Sequence, residues 1–318
     1  WNWYAPTAET NNAGTNGATI ASTIKKNVDA GFSIVKHTGT GVVGTVGHGL
    51  DSAPELIIYK QTSSSSVGKN WVVYASPLGN TGGLLLNLTG NKFTDTDAWN
   101  NTTPTSTVFT LGAGDDGYGT QTNVSGKENI AYCFHSVDGM SRVGSYVGTG
   151  ASGNSIVTGF RPAFLMWKAS SGVGSWYIFD NKRTTSNPQG QYLQANESAA
   201  EGNGTSLFNI DFLTNGFVIN GTNNEVNANG GSYIFLAIAA EPTPEPVLAN
   251  SFKTVTYAGN DTTQDITSLN FKPDLIWLKG KNNGNIHILT DSIRGTNSQL
   301  SSNNTNAQTA GAANVTSF

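Results

Sequence analysis

Short apolar runs, separated by clusters of Gly, Asn, Thr and Ser, recur along the whole chain. Phe32–Lys36, Leu56–Tyr59, Trp71–Tyr74, Leu84–Leu88, Val108–Leu111 and Ile130–Phe134 are rich in β-branched and aromatic residues, which predicts strands. Runs such as Phe164–Trp167 are apolar at every position instead of alternating. That pattern predicts strands buried on both faces, as inside a sandwich. Turn chemistry lies between them, as in Asn80–Gly83, Asn229–Gly231 and Asn282–Gly284. Residues 5–30 are rich in Ala, Thr, Asn and Gly and read as strand or loop.

The runs repeat. Ala53–Lys60 (Ala-Pro-Glu-Leu-Ile-Ile-Tyr-Lys), Arg161–Lys168 (Arg-Pro-Ala-Phe-Leu-Met-Trp-Lys) and Lys272–Lys279 (Lys-Pro-Asp-Leu-Ile-Trp-Leu-Lys) each place Lys six residues after Pro. Their prolines, Pro54, Pro162 and Pro273, recur at a nearly constant interval. His37–Gly39, Tyr146–Gly148 and Tyr257–Gly259 precede them, and Trp71–Tyr74, Trp176–Phe179 and Ile286–Leu289 follow. Three blocks in one order at one period point to tandem units. In the first two copies a closing block follows, Ile130–Phe134 and Ile234–Ile238. The opening Trp1-Asn-Trp-Tyr-Ala-Pro resembles such a block. The expected architecture is all-β, with tandem β-sandwich units of about 110 residues of jelly-roll or lectin-like type. The boundaries follow from the repeat. Residues 1–30 would be the closing strand of a preceding unit plus a linker, and 31–138 and 139–240 two complete sandwiches. Residues 241–249 would be a Pro-rich linker, and 250–318 a partial third copy.

Composition narrows the function classes. Gly, Thr, Asn and Ser make up 141 of 318 residues and charged residues only 12%, which disfavours a helical protein. With 17 basic and 21 acidic residues there is no basic stripe, so nucleic-acid binding lacks its main electrostatic term. No apolar run is long enough for a bilayer-spanning helix, so no membrane insertion is expected. The lone Cys133 excludes an intrachain disulfide and a multi-cysteine zinc site, and its strand setting predicts a core position.

Candidate chemistry is sparse. No nucleophile elbow or phosphate loop occurs. His37, His135 and His287 are replaced by other residue types in sister copies, which favours packing. His48, in a Gly-His-Gly turn, is a candidate ligand contact. Trp71, Trp99 and Trp176 offer flat faces for sugar stacking. Trp99, between polar turns, is the best candidate for exposure. Asp95, Asp97, Asp115 and Asp116 could hold calcium, and otherwise no cofactor is expected. Lys60, Lys168 and Lys279 end each repeated strand and read as solvated gatekeepers against edge pairing. Asn87 and Asn196 stand in glycosylation sequons.

The pattern Gly31–Val35, Gly39-Thr-Gly41, Val46–Leu50 and Ala53–Lys60, with Leu84–Leu88, Trp99-Asn-Asn101 and Leu289–Gly295, resembles repeat domains of tail-fibre and related virion structural proteins of marine tailed phages, notably cyanophages. The resemblance spans 31–318. It implies a lectin-like sandwich at the virion surface or otherwise extracellular, a homo-oligomer, commonly a trimer, and contacts with other virion chains, and it supplies no catalytic residues to carry over. The expectation is therefore a non-enzymatic virion protein of a tail fibre or similar appendage, with adhesion to host-surface glycans. A purely architectural spacer or capsid decoration is the alternative, and a polysaccharide depolymerase a distant third.

Overall fold

The computed structural model describes residues 1–63, 68–239, 251–310 and 315–318. The proposed linker at 241–249 lies outside the described residues. The first part of the chain forms β1 (Asn2–Trp3), β2 (Thr7–Asn11), β3 (Ser22–Asn27), β4 (Phe32–Thr38), β5 (Gly44–Gly47), β6 (Leu56–Gln61), β7 (Trp71–Ala75), β8 (Gly82–Leu85), β9 (Phe93–Thr94), β10 (Val108–Leu111) and β11 (Glu128–Phe134). The middle forms β12 (Ser141–Val147), β13 (Asn154–Val157), β14 (Pro162–Ala169), β15 (Tyr177–Asp180), β16 (Gln191–Gln194), β17 (Gly202–Asn203), β18 (Ile210–Leu213), β19 (Gly216–Ile219) and β20 (Ser232–Ala239). The last part forms β21 (Phe252–Lys253), β22 (Leu275–Leu278), β23 (Ile288–Asp291), β24 (Ser298–Gln299) and β25 (Thr309–Ala310).

The protein is all-β and of sandwich type, with antiparallel sheets. The first large sheet runs β2-β3-β4-β11-β6-β7-β8-β9, the second β12-β20-β14-β15-β16-β17, and the third β21-β1-β22-β23. Two smaller sheets, β5-β10 and β13-β19-β18, lie over the first and second. Most of the strand expectations held to within two residues. The fourth differs, because β8 ends at Leu85. The chain then turns, with Leu88 N–H donating to Leu85 O, and the Asn87 side chain accepts from Trp71 N–H.

The closing strand sits in the same place in each large sheet. β11 lies between β4 and β6, β20 between β12 and β14, and β1 between β21 and β22. Leu56, Phe164 and Leu275 face Phe134, Ile238 and Trp3 on one side. On the other they face Ala75, Asp180 and Asp291. Residues 1–30 were expected to finish a preceding unit and then link. Instead β1 completes the third sheet of its own chain, and β2–β3 form a ribbon on the edge of the first. A two-residue strand is too short to reveal its partner from sequence.

Alternation explains the layering. In the first sheet Phe32, Ile34, Leu56, Ile58, Tyr132 and Phe134 join a central cluster, while the intervening Val35, Ile57, Tyr59, Ala131 and Cys133 join a cluster under β5–β10. The second sheet divides in the same way, with Phe164 and Met166 inward and Leu165 and Trp167 outward. Trp1, Trp3, Leu275, Trp277 and Leu289 bring the third sheet into the same centre. Successive side chains point to opposite faces, so continuous apolar runs serve two cores at once.

Trp3 touches all three sheets. Its ring lies 6.2 Å from Phe32, 6.2 Å from Phe164 and 4.9 Å from Phe252, centroid to centroid. Its Nε1 is buried without a hydrogen-bond partner among the described residues. Trp3→Ala should cost about 3–5 kcal/mol in urea denaturation and weaken the whole fold in one transition. Trp3→Phe should be far milder, because it keeps most of the ring and removes the unpaired N–H.

Candidate functional site

The residues singled out for ligand contact are not at the surface. Trp71, Trp99, Trp176 and His48 are each no more than 1% exposed. This corrects the expected exposure of Trp99. Its ring packs edge-on against Tyr59 and Tyr74 in the first sandwich, so the polar turns around it roof the core. His48 is a turn staple. Its Nε2 meets Thr105 O at 3.0 Å and its Nδ1 accepts from Leu50 N–H at 3.2 Å. No face of these four rings is open to a sugar.

Two of the four aspartates, Asp95 and Asp116, are engaged in backbone contacts. Asp95 Oδ1 accepts from the N–H groups of Asp97 and Ala98, and Oδ2 from that of Tyr118, tying β9 to the 115–118 loop. Asp116 accepts from Gly117 N–H. Among the described residues no group of three or more His, Cys, Asp or Glu is placed to hold a metal.

The aromatic and basic repeat residues converge at the seams between sheets. Val72, Tyr177 and Ile288 occupy equivalent registers opposite Tyr59, Trp167 and Leu278. The residues before them, Trp71, Trp176 and His287, are therefore equivalent, and Ile286 is not the counterpart the repeat blocks implied. Trp71 Nε1 donates to Ser301 O at 2.9 Å, from the first sheet to the chain beside the third. Trp176 Nε1 donates to Leu85 O at 3.0 Å, from the second to the first. His287 Nε2 lies 2.9 Å from Gln194 O, from the third to the second. Leu85, Gln194 and Ser301 are themselves equivalent, each following the leucine that pairs inward. The three bonds form a closed cycle. Two residues further on, Asn87, Asn196 and Asn303 accept from the backbone N–H of Trp71, Trp176 and His287. The two sequon asparagines are thus buried brackets, 6% exposed each. The sequence signal was present, as an Asn at a similar spacing after each of Trp71, Trp176 and His287, and was masked by the abundance of Asn.

The lysines reinforce the same seams. Lys60 and Lys168 are fully buried, which corrects their reading as solvated gatekeepers. Lys60 Nζ donates to Gln61 O, Lys69 O and Thr305 O, so each of its three N–H groups has a carbonyl. Lys168 Nζ reaches Ala169 O and Thr89 O. Burial lowers Lys60 to about 7 and Lys168 to about 8. Such values suit a nucleophile, but both ammonium groups are enclosed and aimed at carbonyl oxygens.

Closing strands also reach across. Tyr132 hydroxyl donates to Asp291, which pairs with Arg294 at 2.5 Å, and Trp1 Nε1 donates to Asp180, which pairs with Arg183 at 2.7 Å. Within each sandwich a second device repeats. Asn123 accepts from Thr40 N–H and donates to Val42 O and Gly112 O, and Asn227 accepts from Thr149 N–H and donates to Ala151 O and Gly221 O.

Over residues 1–242 and 249–318 the chain matches the family described as a domain of unknown function, DUF7483. It belongs to that family. No curated protein and no solved structure matches it. In this DUF7483 chain two apolar cavities in the central core measure only about 10 and 20 Å³. A surface groove of about 700 Å³ beside β12 carries one carboxylate, Glu55, and one cation, Arg142.

Burial lowers His37 and His48 to about 4 and His287 to about 3. At His287, Nδ1 also accepts from Trp277 Nε1, so an added proton there would face another donor. These folded-state values lie below the ordinary 6.5. The neutral rings therefore stabilise the fold fully above about 6.5, and that contribution is lost as pH falls through 4 for His37 and His48 and through 3 for His287, on the order of 3–5 kcal/mol for each ring. Urea midpoints should fall steeply between pH 6.5 and 4, and His287→Gln should flatten the fall. Calcium should leave the melting temperature unchanged, whereas Asp95→Ala should lower stability by about 1–3 kcal/mol, both read by thermal denaturation.

Proposed function

We propose that the chain is a non-enzymatic structural module of a virion appendage, such as a tailed-phage fibre, that works through contacts with other virion chains. One observation carries the reading: the side chains with chemical capability are used to join sheets. Trp71, Trp176, His287, Lys60 and Lys168 all bond to carbonyls across or along the seams. The virion setting and a homo-trimeric assembly come from the likeness of Gly31–Lys60 and Leu289–Gly295 to phage repeat domains. A low-charge, Thr- and Asn-rich surface suits a particle part that must stay soluble without strong long-range fields.

Architecture is favoured over glycan adhesion, because the aromatic rings offered for stacking are enclosed. The groove gives a depolymerase little support, since a glycosidase sets two carboxylates about 5–10 Å apart and the lining holds one. An antibody against the recombinant chain should label an appendage of tailed particles in immunogold microscopy, and a glycan array should stay silent. Label confined to host cells would overturn the virion assignment. A saturable glycan signal would restore adhesion.

A further inference from the structure

In the first sheet β4 is not an edge. β3 pairs along it from Ser22 opposite His37 to Asn27 opposite Phe32, and β2 covers β3. Just before β3, Ile20 bridges to Val46 of β5, so this arm closes the side of the sandwich between its large and small sheets. The corresponding strand of the second sheet is β12, because Ser141 faces Ile238 as Phe32 faces Phe134. Among the described residues β20 is the only strand paired with β12; on its other side Ser141 bridges to Val137, Val147 O accepts from Asn154 Nδ2, and the stretch between Val143 and Val147 carries no strand. The even-numbered residues of β12 bond towards β20, as Met140 O and Gly148 N–H do at either end, and its odd-numbered ones turn outward, as Val143 N–H does towards Ser136 Oγ. Ser145 is odd-numbered and exposed. Its N–H and C=O face outward and find no partner among the described residues.

The space beyond that edge is the groove of about 700 Å³. Its far wall is β13, its floor includes Tyr146 and Phe235, and the Ser76-Pro77 turn stands at one end. Val147 and Val157 on its rims are 59% and 67% exposed. From Val143 to Val147 β12 has neither charge nor proline, the usual guards of a bare edge.

We propose that this groove seats an extended strand from a partner polypeptide, added antiparallel to β12 along Gly144–Val147, where the register that β3 takes on β4 is open. The register states the chemistry of the occupant. Thr23 faces Lys36 and Ile24 faces Val35, so the incoming strand sets a small or β-branched polar residue opposite Ser145 and an apolar one opposite Gly144. Gly144 has no side chain, and the Phe235 ring lies within 2.6 Å of where its Cβ would be. The apolar residue of the newcomer packs on that ring. β3 itself is held between β2 and β4, in this chain as in any second copy, so the occupant is a different polypeptide. The seat is defined by the sheet edge whether or not the chain belongs to a virion. Main-chain bonds supply the affinity and the alternating contacts the selectivity.

The test uses the full chain and a synthetic peptide of the sequence of residues 19–27, Thr-Ile-Ala-Ser-Thr-Ile-Lys-Lys-Asn. Fluorescence anisotropy should show saturable binding below about 1 mM, and hydrogen exchange should show new protection at the Ser145 and Val147 amides. Ser145→Pro, which removes the outward N–H, should weaken binding by about tenfold or more. Val157→Glu, at an exposed rim, should weaken it without changing the melting temperature. Absence of binding at about 1 mM overturns the proposal. So does binding indifferent to both substitutions, which would place the peptide on β4 in exchange for β3. Self-association that protects the Ser145 and Val147 amides without peptide assigns the seat to a second copy and overturns it equally.

Discussion

Packing of three apolar sheet faces around Trp1 and Trp3 is the contact on which the rest of the structure depends. The first and second large sheets are apolar on both sides. One side is covered locally, by β5–β10 or β13–β19–β18, from the same stretch of chain. The other side has no local cover and would meet water unless another sheet met it. Each sheet supplies the cover for its neighbours, so no sandwich is independent and the core belongs to the chain as a whole.

Polar groups trapped where the sheets meet must be paired, since an unmet buried donor or acceptor costs about 1–3 kcal/mol. The repeated answer is a side-chain donor from one sheet to a carbonyl of the next. Trp and His at one position and Lys at another share the task. Histidine can replace tryptophan there because its neutral ring, with the proton on Nε2, still donates towards Gln194 while Nδ1 accepts from Trp277. The buried Asp180–Arg183 and Asp291–Arg294 pairs follow the same logic, each carboxylate also taking a donor from a closing strand. Removing one partner of such a buried pair is strongly destabilising, because it leaves the other charge uncompensated.

The departures from this regularity lie on the outside. The first sheet carries an extra ribbon on the edge where the second, beyond Val143, has no further strand among the described residues. The outer face of the third sheet, with Ile276 and Leu278 half-buried, belongs to neither of the sandwich clusters. The copies agree where they touch one another and diverge where they face solvent.

By itself the sequence determined the local structure. Apolar runs bounded by Gly and Asn set the strands, their lack of alternation set two-sided burial, and the Pro-to-Lys blocks marked equivalent strands. These properties depend on neighbours a few residues away. Tertiary structure decided the rest. It placed β1 beside β22, from the opposite end of the chain, turned Trp99 and the two lysines inward, and made buried brackets of Asn87 and Asn196. A two-residue strand, a lone tryptophan or one asparagine among many has the same local pattern whether it faces water or a neighbouring sheet. Only the closure of three sheets on a shared centre determines which of the two it meets.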